Sequence, residues 1–258
     1  MVPPKEEPVV PPKEDPAIPP KQDPVTPPKE EPQQPPKQEP VQPEQNKQLY
    51  RAVPQGSASS FWDVPAGAPF SGEIAWMSQA GITRGWSDGT FRPFEAVSRE
   101  AVAAFLYRMA GGAEIRVPGA MPAAQFNDVS PSHPFYREIE WLRRTGLTRG
   151  WPDGSFRGGD SISREAMAAF LHRFVQAAST NPQAAKAISP DLLNLKYPAP
   201  VTQFKDVPDG YYFEGDINWL SQTLITTGWD DNTFRPELPI QRQAMAAFFY
   251  RLQHNYAK

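Results

Sequence analysis

The chain has 258 residues, no cysteine and a formal net charge of −3, and half of its 32 prolines lie within the first 43 residues. The absence of cysteine excludes a disulfide framework and a thiolate metal site, and the scattered His133, His172 and His254 do not make a zinc ligand set, so we expect no metal and no cofactor. Basic and acidic residues balance after residue 50, and a neutral folded part without a basic stripe argues against nucleic acid as the partner.

The N-terminal part of the chain, from residue 1 to residue 60, is predicted to be an extended linker. Residues 3–42 are five octads, each beginning with Pro-Pro-Lys, and such a tract favours polyproline II over helix. At about 3.1 Å per residue this spacer reaches about 120 Å. A ligand for proline-reading domains is the alternative interpretation. Residues 43–60 contain Gln, Ser and Gly and are predicted to be a hinge.

The start of the chain contains no pattern of a secretory signal, and the sequence contains no run of 18 apolar residues. We therefore expect no transmembrane segment. Because the chain opens within a repeating linker, we interpret it as a fragment of a longer surface protein, with a cargo domain on the N-terminal side of the linker.

The tetrapeptide FWDV at 61–64 begins an internal repeat. It recurs as FNDV at 126–129 and as FKDV at 204–207. The two shifts that superimpose these motifs also align further aromatic and arginine positions without a gap. These are Phe70, Phe135 and Phe213; Trp76, Trp141 and Trp219; Trp86, Trp151 and Trp229; and Arg99, Arg164 and Arg242. We expect repeats over residues 61–112, 126–178 and 204–256, with a connector over 179–203.

Each repeat is predicted to contain two helices joined by a loop. Apolar residues recur at spacings of three and four in both stretches, and in the first repeat they are Phe70, Ile74 and Met77, then Val102, Phe105, Leu106 and Met109. Ser98 and Ser163 stand where an N-cap is expected, and Gln241 takes that place in the third copy. A unit of about 50 residues cannot bury these stripes alone. The predicted fold is mostly α, with three tandem helix-loop-helix repeats that share one core in pseudo-threefold symmetry and leave grooves between neighbours.

The loop reads GITRGWSDGTFRP at 81–93, GLTRGWPDGSFRG at 146–158 and LITTGWDDNTFRP at 224–236. Its Asp-Gly or Asp-Asn pair predicts a tight turn with positive φ, and we interpret the aspartates as turn residues; they are Asp88, Asp153 and Asp231. The loop tryptophan offers a flat face and one donor, which suits stacking on a sugar ring. Closure of the core beneath the loop is the alternative role, and it is the role expected of the helical tryptophans.

The order of these motifs resembles the S-layer homology family in three tandem copies, from residue 61 to about residue 254. That resemblance implies a three-pronged spindle of helices around a central three-helix bundle, and a non-catalytic anchor at the cell surface. It also implies non-covalent binding of a secondary cell-wall polysaccharide. In the family's best-known case a pyruvate ketal on an amino sugar meets the arginine that opens the second helix. Here that motif reads SREA at 98–101, SREA at 163–166 and QRQA at 241–244.

An arginine in the first turn of a helix lies where the helix dipole favours anions, so a bound carboxylate suits it. An ion pair with the recurring Asp and Glu residues is the alternative. The candidate carbohydrate-binding residues are Arg99, Arg164, Arg242, Trp86, Trp151, Trp229, Arg84, Arg149, Asp63, Asp128, Asp206, Gly85, Gly150 and Gly228. The third repeat has Leu224, Thr227, Gln241 and Gln243 at positions where the other two repeats agree, so its groove is expected to be the weakest.

Other functions remain open on the sequence alone. One is a structural surface protein that assembles with itself through the grooves. Another is a cell-wall glycoside hydrolase that uses Glu73 or Asp63, although acids repeated identically in three copies do not suit a catalytic pair of distinct pKa values. A choline-type wall-binding repeat has a shorter, strand-based period. We expect no catalytic residue in this chain.

Overall fold

The computed structural model describes residues 61–194 and 201–254. The linker and hinge predicted over residues 1–60 lie outside this part, as does the end of the third predicted repeat. The described residues form eight helices and no strand. They are α1 (Ser71–Gln79), α2 (Arg99–Met109), α3 (Tyr136–Thr145), α4 (Arg164–Ala178), α5 (Pro182–Ala185), α6 (Pro190–Leu193), α7 (Glu214–Gln222) and α8 (Arg242–His254). The prediction of a mostly helical protein is confirmed.

The second helix of each repeat begins where the sequence predicts. The Ser98 hydroxyl accepts a hydrogen bond from the Ala101 amide at 3.3 Å, and the Ser163 hydroxyl accepts one from Ala166 at 3.3 Å. An N-cap of this kind satisfies one of the free amides of the first turn. The two predicted caps are therefore confirmed, and they fix the arginine that follows each serine in the first turn of its helix.

An arginine ties the two helices of a repeat together. Arg108 in α2 donates to the Ile82 carbonyl oxygen at 3.0 Å, and Arg251 in α8 donates to the Ile225 carbonyl oxygen at 2.8 Å. Each carbonyl lies just after the first helix of its repeat. The hydrogen bond between the arginine side chain and this buried carbonyl oxygen therefore fixes the point at which the loop leaves the first helix.

The helices pack across repeats in a closed order. α2 packs against α3, α4 packs against α7, and α8 returns to pack against α1. In each of these pairs an aromatic ring contacts the tryptophan of the first helix. The ring centres are 5.5 Å apart for Tyr107 and Trp141, 4.7 Å for His172 and Trp219, and 5.4 Å for Tyr250 and Trp76. One hydrophobic core contains buried residues of all three repeats. The expected shared core is confirmed.

Three buried residues just before the second helices join the repeats through their backbones. The Val97 amide donates to Ile240 at 3.0 Å, the Ile240 amide donates to Ile162 at 3.0 Å, and the Ile162 amide donates to Val97 at 2.9 Å. All three side chains are at most 1% exposed. The result is a three-membered ring of backbone hydrogen bonds, to which every repeat contributes one donor and one acceptor.

The connector after α4 contains the short helices α5 and α6. The Asn181 side chain caps α5 by accepting from the amides of Gln183 and Ala184, and the Ser189 amide donates to Leu252 in α8 at 3.0 Å. This contact fixes the connector against the last helix. None of the helices in residues 61–194 and 201–254 is long and apolar enough to cross a lipid bilayer.

Candidate functional site at the junctions between repeats

The aspartate of each FxDV motif holds the loop of its own repeat. Asp63 accepts from the Phe91 amide at 2.8 Å and from the Arg92 amide at 2.7 Å, one with each carboxylate oxygen. Asp128 and Asp206 make the same pair of bonds, at 2.7 to 2.8 Å. Hydrogen bonds to a carboxylate are among the stronger ones in proteins. These three candidate residues therefore position the loop that carries the tryptophan.

The candidate glycines Gly85, Gly150 and Gly228 lie where a side chain does not fit. A Cβ added to Gly85 would stand 2.3 Å from Phe61 and 2.5 Å from the Thr90 carbonyl oxygen, at a φ of +65°. Corresponding contacts of 2.3 to 2.7 Å surround the other two glycines. The Thr83 hydroxyl also accepts from the Gly85 amide at 3.2 Å. The glycine thus allows the loop to lie directly on the aromatic ring of the FxDV motif.

The predicted tight turns are confirmed, with φ of +80° at Gly89 and Gly154 and +62° at Asn232. Asp88 accepts from the Thr90 amide at 3.0 Å and from the Thr90 hydroxyl at 2.6 Å. The hydrogen bonds from Thr90 and Arg92 lower the pKa of Asp88 to about 2. The interpretation of this aspartate as a turn residue is confirmed.

Sequence reasoning missed the arginine that follows the loop phenylalanine. Arg92 has a φ of +58°, its guanidinium lies 4.2 Å from the centre of the Trp86 ring, and it forms a salt bridge with Asp88 at 3.0 Å. Arg157 and Arg235 repeat this arrangement, at 4.2 Å from Trp151 and 3.7 Å from Trp229. The signal was the Phe-Arg pair present in all three loops. This arginine covers one face of the loop tryptophan.

The arginine that opens each second helix reaches into the loop of the next repeat. The Nε of Arg99 donates to the Phe156 carbonyl oxygen at 2.8 Å. Arg164 donates in the same way to Phe234 at 2.8 Å, and Arg242 donates to Phe91 at 2.6 Å. We call the three meeting places the first–second junction, the second–third junction and the third–first junction.

Each junction brings a helix arginine of one repeat to the loop tryptophan of the next. The guanidinium carbon lies 5.9 Å from the ring centre for Arg99 and Trp151, 5.9 Å for Arg164 and Trp229, and 6.0 Å for Arg242 and Trp86. At these distances the cation and the ring attract each other weakly. The two residue types predicted to bind carbohydrate are thus neighbours, but they come from different repeats.

The helix arginines are largely removed from solvent. Arg164 is 4% exposed, Arg242 is 7% exposed, and Arg99 is half-buried. Burial lowers the pKa of Arg99 and of Arg242 to about 10, so both stay charged at neutral pH. Within residues 61–194 and 201–254, no carboxylate lies within 4.0 Å of either guanidinium. A direct ion pair is therefore not formed at these two arginines, but Asp160 and Asp128 act from a greater distance to raise the pKa of Arg99, and Glu95 and Asp63 do the same for Arg242.

The loop tryptophans differ in exposure. Trp86 is 45% exposed, whereas Trp151 and Trp229 are half-buried. The indole Nε1–H groups of Trp151 and Trp229 are buried and meet no acceptor among the described residues. A buried donor without an acceptor costs about 1–3 kcal/mol, and an oxygen of a bound molecule would satisfy it. On the same loops, Arg84 is exposed and Arg149 is half-buried.

Comparison with protein families agrees with this architecture. The S-layer homology domain matches the chain three times, at residues 60–103, 125–168 and 203–246. The chain belongs to the S-layer homology family. The resemblance noted from the motifs is thereby confirmed, and each match spans the FxDV motif, the loop and the start of the second helix.

Relatives of this S-layer homology protein include large surface proteins. It is 27% identical over 168 residues to "Cell surface glycoprotein 1" of Acetivibrio thermocellus, which is 65% of this chain and 7% of that protein. It is 27% identical over 172 residues to the "Cellulosome-anchoring protein" of the same organism, 67% of this chain and 35% of that protein. Over 53 residues it is 38% identical to "Outer membrane protein SlpA" of Thermus thermophilus, 20% of this chain and 6% of that protein. The matched part of the chain therefore covers only about a third of the anchoring protein and less than a tenth of the other two relatives.

The three S-layer homology repeats differ in the residue that follows the helix arginine. Glu100 lies 3.4 Å from His133 of the second repeat, and Glu165 accepts a hydrogen bond from Tyr211 of the third. Burial raises the pKa of Glu165. The third–first junction has the neutral Gln243 at this position. A first-turn acid is therefore present at two junctions and absent from one.

The unusual residues of the third repeat divide between two junctions. Leu224 and Thr227 belong to the loop that meets Arg164, at the second–third junction. Gln241 and Gln243 flank Arg242, which meets the loop of the first repeat. The sequence analysis assigned all four changes to one weak groove, because the sequence does not show which repeats are in contact.

Proposed function

We propose that the folded part of this chain is a non-catalytic anchoring module that holds an anionic secondary cell-wall polysaccharide at the junctions between its repeats. In this proposal the three second helices, α2, α4 and α8, lie around a pseudo-threefold axis, and each packs against the first helix of another repeat, α3, α7 and α1 respectively. The module acts at the cell surface, outside the membrane. The module would hold any protein domain that is fused to it at the cell surface.

One observation carries the proposal. At the third–first junction Arg242 has a buried guanidinium beside Trp86, without a carboxylate of the described chain at salt-bridge distance. Arg99, which is half-buried, also lies beside a loop tryptophan, Trp151, without a direct carboxylate partner. A carboxylate on a sugar would supply the direct charged partner that these arginines lack, and the indole supplies a flat surface and a donor. The names of two relatives, a cell surface glycoprotein and a cellulosome-anchoring protein, support the same role.

The acidic group on the polymer is proposed to be a pyruvate ketal. Its carboxylate would accept from the arginine Nη atoms, since each Nε already donates to a loop carbonyl. Three modest sites on one body, facing a polymer with many copies of the same sugar, give strong retention through effective concentration. No single junction has to bind tightly.

The hydrolase alternative has less support. Asp63 uses both carboxylate oxygens to hold the amides of its own loop, so its side chain is engaged in positioning the loop and not in contact with a substrate. Burial raises the pKa of Glu73, while a backbone hydrogen bond and Arg251 oppose that rise. The pair is repeated in the other two copies, as expected of structural residues.

The test is binding to purified cell-wall sacculi, before and after removal of the non-peptidoglycan polymer. We expect the full chain to bind only the untreated sacculi. Arg99→Gln and Arg242→Gln should each weaken binding to the free polymer about tenfold or more, because a charge-assisted hydrogen bond is lost. The exposed Arg116 gives the control Arg116→Gln, which should bind normally.

Unfolding temperatures of all variants separate loss of the site from loss of the fold. Equal binding to stripped and untreated sacculi would contradict the proposed ligand. Full affinity in a folded Arg99→Gln, Arg242→Gln double variant would show that the arginines have been assigned the wrong role. Hydrolysis of the polymer by the pure protein would restore the enzyme alternative.

A further inference from the structure

The first repeat carries exposed aromatic rings at two positions where the other two repeats have none. Trp62, in the FxDV motif, is 74% exposed, and Phe94, which directly follows the loop that carries Trp86, is 51% exposed. The repeat offsets place other residues at the positions of Trp62 and Phe94: Asn127 and Gly159 in the second repeat, and Lys205 and Glu237 in the third. Large exposed apolar side chains beside a candidate site suit contact with a ligand.

The Trp62 ring is held in place by the turn beside Trp86. Its Nε1–H donates to the Asp88 carbonyl oxygen at 3.0 Å. Its Cδ1 lies 3.4 Å from the point where a Cβ on Gly89 would stand. The polar atom of the indole is thereby satisfied within the protein, so the exposed surface is mainly the apolar ring. A ring that is already fixed loses little conformational entropy when a ligand stacks on it.

Phe94 is fixed at the entrance to α8. The carbonyls on either side of it, those of Pro93 and Glu95, accept the amides of Gln243 and Arg242 at 3.0 and 2.9 Å. The backbone of this segment therefore cannot move away from the helix without breaking both bonds. Phe94 thus belongs to the same junction as Arg242.

The charge at this junction also differs from that at the other two. Gln243 replaces the first-turn acid found as Glu100 and Glu165. Glu95, one of the acids that raise the pKa of Arg242, forms a salt bridge with Arg92 at 3.3 Å. An incoming anion therefore meets Arg242 and the positive end of α8 with one fewer negative charge than elsewhere.

We propose that the third–first junction has an additional stacking subsite, in which uncharged sugar rings of the wall polymer lie on Trp62 and Phe94 beside an acidic sugar at Arg242. The subsite makes this junction the strongest of the three. The inference rests on the proposed function, whose polymer it uses as the ligand. It reverses the order expected from the substitutions in the third repeat.

The experiment measures affinity for the purified wall polymer by titration calorimetry, with the intact polymer and with polymer whose carboxylates have been reduced to alcohols. The main variant is Trp62→Asn. Asn127 donates to the Asp153 carbonyl oxygen at 2.9 Å in the second repeat, so an asparagine at position 62 keeps the bond to the turn and removes only the ring. Phe94→Ala is the second variant, and Met121→Ala, which truncates a side chain 73% exposed elsewhere, is the control.

Trp62→Asn and Phe94→Ala should each weaken binding about three- to tenfold, by the same factor for both forms of the polymer. Met121→Ala should bind as the wild type does. The reverse change, Asn127→Trp, adds a ring to the first–second junction and should strengthen binding. Because misfolding would weaken binding, it could not produce this increase in affinity.

Three results would overturn the inference. One is wild-type affinity in the Trp62→Asn, Phe94→Ala double variant. Another is a loss confined to the intact polymer, which would mean that the rings act only through the charged sugar. The third is a change from dimer to monomer on sedimentation of Trp62→Asn, which would show that a second copy of the chain covers the rings. If the wild type binds neither form of the polymer, it is the proposed function that fails.

Discussion

At the scale of single residues, the loop glycines show how closely each repeat packs on itself. Gly150 has a φ of +74°, and a Cβ there would lie 2.4 Å from Phe126 and 2.5 Å from the Ser155 carbonyl oxygen. Neither neighbour can move easily, because Phe126 is buried and the carbonyl accepts the Trp151 amide at 2.8 Å. The glycine sets the position of the tryptophan that follows it.

Gly150→Ala should therefore destabilise the protein by about 2 kcal/mol or more, through both the positive φ and the overlap. For a domain of this size that lowers the melting temperature by about 4–8 °C. The control is Gly159→Ala, in the same repeat, where a Cβ meets no described atom within 4 Å and φ is not positive. Calorimetric melting of both variants tests the argument, and equal melting temperatures would contradict it.

At the scale of the elements, the turn at the tip of each loop is held by an aspartate. In the folded protein, hydrogen bonds lower the pKa of Asp88 to about 2, and the pKa values of Asp153 and Asp231 are also lowered. An unfolded aspartate has a pKa of about 4. A group with a lowered pKa stabilises the fold fully above that unfolded value, and this contribution is lost as the pH falls towards the folded value.

The triple variant Asp88→Asn, Asp153→Asn, Asp231→Asn should consequently be less stable than the wild type at pH 7. The gap in unfolding free energy should narrow between about pH 4 and pH 2, since only the wild type loses the contribution of these carboxylates there. Urea unfolding at a series of pH values measures the gap. The exposed Asp209 supplies the control Asp209→Asn, and a gap that stays constant down to pH 2 would refute the argument.

The elements also show what can be predicted from sequence. The two serine caps, the positive φ of the turns and the apolar helix faces could be predicted, because each depends on residues within one turn or one loop. Arg92 could not be placed in the same way. Its left-handed backbone is rare for arginine, and it exists because Asp63, 29 residues earlier, holds its amide.

At the scale of the whole molecule, the repeats depend on one another. The partner loop of Arg99 is 57 residues away, and that of Arg242 is 151 residues away. Repeat spacing alone reveals equivalent positions but not which copies touch. The composition of the junctions, and therefore of the candidate site, could be seen only in the folded chain.

Ile240→Ala should destabilise all three repeats together. Ile240 is fully buried and belongs to the ring of backbone hydrogen bonds with Val97 and Ile162. Loss of its side chain should cost about 2–5 kcal/mol. Hydrogen exchange should then be faster in α2 and α4 as well as in α8.

The matched control for Ile240→Ala is Leu238→Ala, two residues earlier and 49% exposed, for which we expect an effect below about 1 kcal/mol. Faster exchange limited to the third repeat of Ile240→Ala would mean that the repeats unfold separately. Coinciding transitions by tryptophan fluorescence and circular dichroism would support a single cooperative unit.

The ring of backbone hydrogen bonds formed by Val97, Ile162 and Ile240 limits how the number of repeats in such a protein can change during evolution. A linear stack of repeats can gain one more unit at either end, because its terminal surfaces stay available. Here the amide and the carbonyl of every member are already used by the other two. A fourth copy finds no vacant backbone group in this ring, so we expect repeats to be added in complete sets of three.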